Sequence, residues 1–435
     1  MVATRANNTR MKILYLCPDL GVPVLGLKGA SVHVRALVAA FGRAGHDVVL
    51  AAQVLNKSPW EKPADVDAKL LHLRASNHIA EVAAALKALN AMLGAENSLP
   101  GELRRILYNR ELVDGLNRRF DGDPPAFIYE RASLFGTAGV VLARELDVPL
   151  LLELNAPLAV EQAAYRGTGL GELAAQAERW TLSRADAVLT VSAPLRDHAL
   201  SLGAEAARVH VFPNAVDPAL FQPGPREASV RARLGLEDGP VLGFVGGLRP
   251  WHGVEVLPEL VERLAQRHRK LRLLVVGDGQ LRPLLEESFV KRRLLERVVF
   301  TGNLAHEEVA AVIRQFDVAL APYPKLDHAF YFSPLKVFEY MACGAAVVAP
   351  NVGQISEIVQ DGKTGLLYPP GDVNALVEAC HRLLRNSRLR HTLGRAAAKR
   401  VHTHYTWDRN ASRAVELARS LVAARRKRAQ DGNRP

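Results

Sequence analysis

Short, nearly unbroken apolar runs punctuate this chain of 435 residues, with stretches of helical periodicity between them. In the first half they read MKILYLC from Met11, DVVLAA, AFIYE, PLLLELN, ADAVLTVS and VHVFPN. In the second half they read PVLGFVGG, LRLLVVGDG, VVFTG, FDVALAPY and AAVVA. A strand that is apolar at consecutive positions is buried on both faces, and a helix between successive strands is the connection a parallel pair requires. The pattern predicts α/β architecture with parallel sheets covered by helices on both sides. It breaks at the four prolines of PNAVDPALFQPGP, from Pro213. The expectation is two Rossmann-like, doubly wound domains facing a central cleft, residues 11–214 and 215–402. A disordered extension over 1–10 would precede them. A helix over 403–424 and a basic tail over 425–435 would follow.

The stretch from Tyr331, YFSPLKVFEYMACGAAVVAP, concentrates the chemistry. Ser333 and Pro334 read as a helix start, Gly344 as its stop, and a buried strand follows at once. A helix N-terminus placed against a parallel sheet offers backbone N–H groups and a positive dipole end to an anion such as phosphate. Lys336, in the first turn, is placed to reach the same anion. Glu339, one turn further on, accepts hydrogen bonds from a neutral sugar hydroxyl. Upstream, a strand ends at Gly246 and Gly247, where Arg249 is a permanent cation beside a glycine turn. The next strand ends at Gly277, Asp278 and Gly279, glycines that let a flat base approach the backbone.

SPLKVFEYMACG, DGKTGLL and PPGD resemble the donor-binding signature of glycosyltransferase family 4, retaining enzymes of the GT-B fold, and the resemblance extends across nearly the whole chain. It implies a nucleotide-sugar donor, a UDP- or GDP-sugar, on the second domain, with no resident cofactor and no metal. The family carries a pair of glutamates around this turn. Glu339 matches the second, which the resemblance implies holds the donor ribose, while Tyr331 stands at the first. The usual Gly-Phe-Gly is replaced by Phe332, Ser333 and Pro334. The arginine and lysine that hold the diphosphate in the family fall at Gly247 and His252. Catalysis is therefore expected from Lys336, from Arg249 as the nearest permanent cation that can stand in for the family's pair, and from Glu339. The resemblance also implies that the last helix crosses back to the first domain. It assigns donor binding to Gly246, Gly247, His252, Gly277, Asp278, Gly279, Ser333, Pro334 and Leu335.

On the acceptor side, a loop with Gly21, Gly26 and Gly29 leads into ASVHV, which resembles the family's acceptor loop and turns His33 toward the cleft. A satisfied structural histidine is the alternative reading. Polar residues ending strands at the same edge, Glu130, Arg131, Glu153 and Asn155, would point into the shared crevice, as strand ends do in doubly wound sheets.

Residues 56–123 follow the pattern less well. Ile79 to Leu93 has helical spacing, and Pro100 with Gly101 interrupts it, which fits either a helical hairpin meeting acceptor or membrane or ordinary packing. Asp65-Val66-Asp67 and Asp121-Gly122-Asp123 imitate a metal-binding pair, but no strand leads into either, and both read as solvated loops. Three cysteines without metal spacing fit a reducing compartment. MVATRANNTR lacks a signal-peptide core, so a cytoplasmic location is expected.

The net charge of +11 suits an anionic ligand or membrane surface better than nucleic acid, for which no recognition motif is present. Arg425, Arg426, Lys427 and Arg428 read either as a frayed, solvated terminus or as an attachment to anionic lipid at the inner membrane face. The first βα loops lack GxGxxG, which disfavours a dinucleotide oxidoreductase. The expected function is metal-independent, retaining transfer from a nucleotide sugar to a glycan, lipid-linked or small-molecule acceptor. A non-catalytic nucleotide-sugar binding protein and an epimerase on the same scaffold are the alternatives.

Overall fold

The computed structural model describes residues 10–56, 63–236 and 239–432, so all but the last residue of the extension expected over 1–10 lies outside them. Two compact units emerge: Asn214–Thr406, and the residues on either side of it. The first unit runs β1 (Lys12–Cys17), α1 (Gly29–Arg43), β2 (Asp47–Ala52), β3 (Lys69–His72), α2 (Asn77–Leu93), α3 (Leu99–Phe120) and β4 (Phe127–Arg131). It continues with α4 (Ala138–Glu145), β5 (Leu150–Leu154), α5 (Leu158–Arg166), α6 (Gly171–Leu182), β6 (Ala187–Thr190), α7 (Ala193–Ser201) and β7 (Val209–Val211).

The second unit runs α8 (Ala228–Arg233), β8 (Val241–Val245), α9 (Leu257–Ala265), β9 (Arg272–Val276), α10 (Arg282–Lys291), β10 (Val298–Gly302), α11 (His306–Ile313) and β11 (Val318–Leu320). After these come α12 (Leu335–Ala342), β12 (Val347–Pro350), α13 (Gly353–Ile358), β13 (Leu366–Tyr368), α14 (Val373–Arg385) and α15 (Ser387–His404). The closing helix α16 (Trp407–Gly432) belongs to the first unit.

Both sheets are parallel, ordered β3-β2-β1-β4-β5-β6-β7 and β10-β9-β8-β11-β12-β13. Each reverses its winding beside its first strand, between β1 and β4 and between β8 and β11. In such sheets ligands bind at that reversal, off the carboxyl ends of the strands. Strand alternation divides the second core into two layers. Leu242, Phe244, Leu273, Val275, Val318, Leu320 and Val348 face one set of helices, while Leu274, Val276, Ala319, Ala321, Val347 and Ala349 face the other. A large side chain buried this way contributes about 1.5–3 kcal/mol. The glycine stop of α12 behaves as expected, with Gly344 at φ +75.

Several expectations are corrected. Lys69–His72 forms a strand pairing with β2, half exposed along most of its length and without the buried-run signature of the others. Pro100 does not interrupt a helix but sits in the first turn of α3, where a missing N–H costs nothing. The stretch between β5 and Ser183 carries two helices, because Gly167 at φ +70 ends α5 before α6 begins. Residues 425–432 are not a frayed tail: they continue α16, and Arg425 pairs with Asp147 at 3.0 Å and Asp186 at 2.9 Å. Along that helix Ala411, Ala414, Val415 and Ala418 are buried, the spacing of one helical face, and α16 packs against α1.

Candidate functional site

In the second unit, the loops after β8 and β9 are joined backbone to backbone. Gly246 N donates to Val276 O at 2.8 Å, and Leu248 N donates to Asp278 O at 3.0 Å. No side chain fits between them: a Cβ on Gly277 would overlap the Gly246 carbonyl, and one on Gly279 would stand 2.5 Å from Leu248 O. Lys336 enters this turn from α12. Its Nζ lies 4.1 Å from the centroid of the Phe244 ring and 5.3 Å from that of Tyr323, close enough for cation–π attraction. It has no hydrogen-bond partner. The space beside Gly246 is what Nζ occupies, since a Cβ there would be 2.8 Å from it. Burial pulls the ammonium down to about 7, against the opposing pull of the Glu339 charge.

Pro334, in extended conformation, caps α12, and no side chain caps the helix. The first helical residue is therefore Leu335 rather than Pro334. Ser333, read in sequence as part of the start signal, instead latches the turn: its Oγ accepts from Asn214 N at 2.9 Å and its carbonyl accepts from Asn214 Nδ2 at 2.6 Å. Glu339 Oε1 accepts from His306 Nε2 at 2.9 Å, which fixes the carboxylate's direction. Tyr331 is buried, stacked on His328 at 5.3 Å and tilted against Phe332 at 4.4 Å.

The remaining donor-side residues divide. His252 Nδ1 donates to Gly247 O at 2.5 Å, and burial, then the Lys336 charge, push the ring down to about 3. The ring is therefore neutral at physiological pH. Arg249 donates to Gln280 Oε1 at 2.8 Å from a half-exposed position. Asp278 Oδ1 accepts from Gly279 N at 2.7 Å and Oδ2 pairs with Arg282 at 3.2 Å, so its carboxylate stiffens the loop.

The first unit has its own cluster at the carboxyl ends of β4 and β5. Glu153 is its centre. His33 Nε2 lies 2.6 Å from Glu153 Oε1, Tyr129 OH donates to the same oxygen at 3.1 Å, and Arg131 reaches Oε2 at 3.5 Å. Burial alone would push this carboxyl up, but His33 and Arg131 outweigh it and hold the group at about 2. His33 does not face open space as the acceptor-loop reading expected. It is 3 % exposed and packed 4.7 Å from the Trp407 ring, because its place in the first turn of α1 turns it onto the sheet. The Asn155 amide also helps to hold the Glu153 carboxyl down, so it belongs to the same cluster.

Glu130 is corrected outright. One residue before Arg131, it points to the opposite face of β4, into space that a side chain at Gly139 of α4 would fill. Burial pushes it up to about 8, so it is a neutral core acid at physiological pH. Gly29 opens α1.

Comparison with known proteins decides what this arrangement belongs to. Residues 28–215 match the glycosyl transferase 4-like domain and residues 239–386 the group 1 glycosyl transferases. A GDP-mannose-dependent alpha-mannosyltransferase from Mycolicibacterium smegmatis is 30% identical over 68% of this chain and 73% of its own length. The chain belongs to the family 4 glycosyltransferases. Among solved structures, a sucrose-phosphate synthase from Thermosynechococcus elongatus superposes with a TM-score of 0.69 at 23% identity, over 95% of this chain and all of its own. Anabaena HepE in complex with UDP-glucose gives 0.67 at 18%, with the same coverage. Both share the GT-B fold with this glycosyltransferase.

In this glycosyltransferase, the structure gathers Lys336, Gly246, Gly247, His252, Gly277, Asp278 and Gly279 into one turn. The partners that sequence reading missed come from elsewhere in the chain: His306, Asn214, and the Phe244 and Tyr323 rings beneath Lys336. Glu153 was legible as a polar residue near a strand end, but not as the hub of a network drawn from three elements.

That network is testable. Glu153→Gln is expected to cost about 1–3 kcal/mol by leaving buried donors poorly matched. With the folded carboxyl at about 2 and the ordinary value at 4.5, its stabilisation is present above the ordinary value and is lost as pH falls toward 2. The gap in melting temperature between wild type and variant should close over that range; a gap independent of pH would refute the ionised assignment. Among the described residues, no helix is long and apolar enough to cross a membrane and no cluster of metal-ligating side chains occurs.

Proposed function

We propose that this glycosyltransferase transfers a sugar with retention from a UDP- or GDP-sugar bound at the Gly246–Lys336 turn, without a metal, to an acceptor held by the first unit. The observation that carries this reading is the buried, unpartnered Lys336 ammonium aimed at a glycine turn, with the uncapped N-terminus of α12 beside it. A diphosphate there gives Lys336 its missing partner. Arg249, freed from Gln280, is the second cation.

As the anomeric carbon–oxygen bond breaks, its electron pair moves onto the departing phosphate, and Lys336 and the helix dipole stabilise the growing charge. The acceptor hydroxyl oxygen bonds to the anomeric carbon from the same face, and its proton passes to the departing phosphate oxygen. Glu339, oriented by His306, holds the ribose hydroxyls. The GDP-mannose dependence of the Mycolicibacterium relative and the UDP-glucose in the Anabaena structure support a nucleotide-sugar donor of either base. Arg426, Lys427 and Arg428, exposed on α16, suit an acceptor presented at an anionic membrane surface, such as a lipid-linked glycan.

A thermal-shift panel of UDP-, GDP-, ADP- and TDP-sugars tests the donor, because a ligand bound only by the folded state raises its melting temperature. One base is expected to stand out, and Glu339→Ala is expected to weaken that nucleotide about 10- to 100-fold with little loss of stability. Undiminished affinity in Glu339→Ala would remove that residue from the donor site, and no shift with any nucleotide would remove the donor reading.

A further inference from the structure

We propose that the carboxyl edge of the first sheet carries a site for an anionic group on the acceptor, a phosphate, sulfate or carboxylate. The proposal rests on the reading that the first unit holds the acceptor. A cavity of about 470 Å³ opens beyond the ends of β2 and β3, within the range of small-molecule sites. Because these strands are neighbours in register, with Ala52 opposite His72, they deliver Gln53 and His72 to one rim, followed by Asn56 and Arg74. Arg104, from α3, completes the lining. Among the described residues, no carboxylate lines the cavity.

The donors of Gln53 and Arg104 are idle. Gln53 is 5 % exposed, yet its Nε2 has no partner, and neither does the buried Nε of Arg104. Buried polar atoms are almost always paired, and leaving them unpaired costs free energy. Arg74 Nε donates to His72 Nδ1 at 3.3 Å, which leaves the proton on Nε2 to donate to the Gln53 carbonyl at 3.2 Å. This chain orients Arg74 without using the terminal nitrogens of its fork. α3 is pinned in place, since Tyr108 OH donates to Leu73 O at 2.5 Å and Glu111 accepts from Ser76 N at 2.8 Å. The nearby Glu111 carboxylate is thereby occupied. Two guanidinium groups and a carboxamide with unused donors match an anion, whose oxygens only accept; guanidinium forks fit phosphate and carboxylate geometry in particular.

Titration of inorganic phosphate into the full chain tests this. Two binding events are expected: one lost in Lys336→Met, the other weakened about tenfold or more by Arg74→Gln or Arg104→Gln. Arg74 is exposed, so Arg74→Gln keeps the test decisive where Arg104→Gln disturbs packing, and an unchanged nucleoside diphosphate affinity certifies the fold of the second unit. Glucose 6-phosphate should bind more tightly than glucose, with the difference lost in the same variants, which assigns the anion to the acceptor. Phosphate binding without any gain for the sugar phosphate would overturn that assignment, and phosphate affinity unchanged in both arginine variants would overturn the site. Neither titration requires transfer, and only the event lost in Lys336→Met depends on the donor reading, so a failure of that reading leaves the arginine-dependent event in place.

Discussion

Lys336→Met is expected to lower kcat/KM about 100- to 1,000-fold while making the folded protein more stable, the opposite signs of one cause. The ammonium is buried without a partner, so the free protein carries a desolvation cost that only an anionic ligand relieves. Methionine keeps the volume against Phe244 and Tyr323 and removes the charge. With the group near 7 in the folded chain and 10.5 ordinarily, the cost is fully present below pH 7, where both states hold the proton. It fades as pH rises from 7 toward 10.5, where only the unfolded chain stays charged. The variant should gain about 2–5 kcal/mol at or below pH 7 and nothing at the upper end.

A second readout follows. A diphosphate arriving beside Nζ restores its proton, so near pH 8 binding should take up protons, seen as a binding enthalpy that varies with the ionisation enthalpy of the buffer. A variant that loses activity and stability together would show Lys336 to be a packing residue, and buffer-independent enthalpy would show that the ligand binds elsewhere.

The parts of this protein legible in its sequence were those set by local pattern. Consecutive apolar residues in DVVLAA and LLVV mark strands buried on both faces, and each sheet places them accordingly. Lys336 and Glu339 share a helix, so their common turn follows from spacing. What could not be read were groupings that depend on which elements become neighbours. His306 begins α11 and meets Glu339 of α12, 33 positions further along the chain, and nothing local to either residue signals that pairing. Glu153 gathers His33 from α1 and Arg131 from β4 for the same reason. Glu130 was misread by treating a strand end as a single direction, when adjacent side chains leave on opposite faces. β3 escaped because an edge strand half in solvent lacks the apolar run that betrays a central one. The four residues of KLLH also have no glycine stop to bound them.

The glycine pair under Lys336 is where backbone geometry and chemistry meet, and Gly277→Ala is expected to cost about 3–5 kcal/mol. Two penalties add. At φ +124 an L side chain is strained by about 1–3 kcal/mol, and the new methyl would overlap the carbonyl oxygen of Gly246 and stand 2.9 Å from its carbonyl carbon. Both are backbone atoms, so no rotamer change relieves the contact; the loop after β8 must move. That loop carries the Gly246 surface on which Lys336 Nζ rests, so whatever folded protein remains should bind the nucleotide more weakly. Gly362→Ala, in the same unit, separates the two penalties: it has φ +67 and nothing within 4 Å of the added methyl, so only about 1 kcal/mol of backbone strain is expected. Thermal unfolding of both variants decides the matter. If Gly277→Ala melts no lower than Gly362→Ala and binds nucleotide undiminished, the two loops are not held against each other, and the turn is not the rigid cradle that a diphosphate requires.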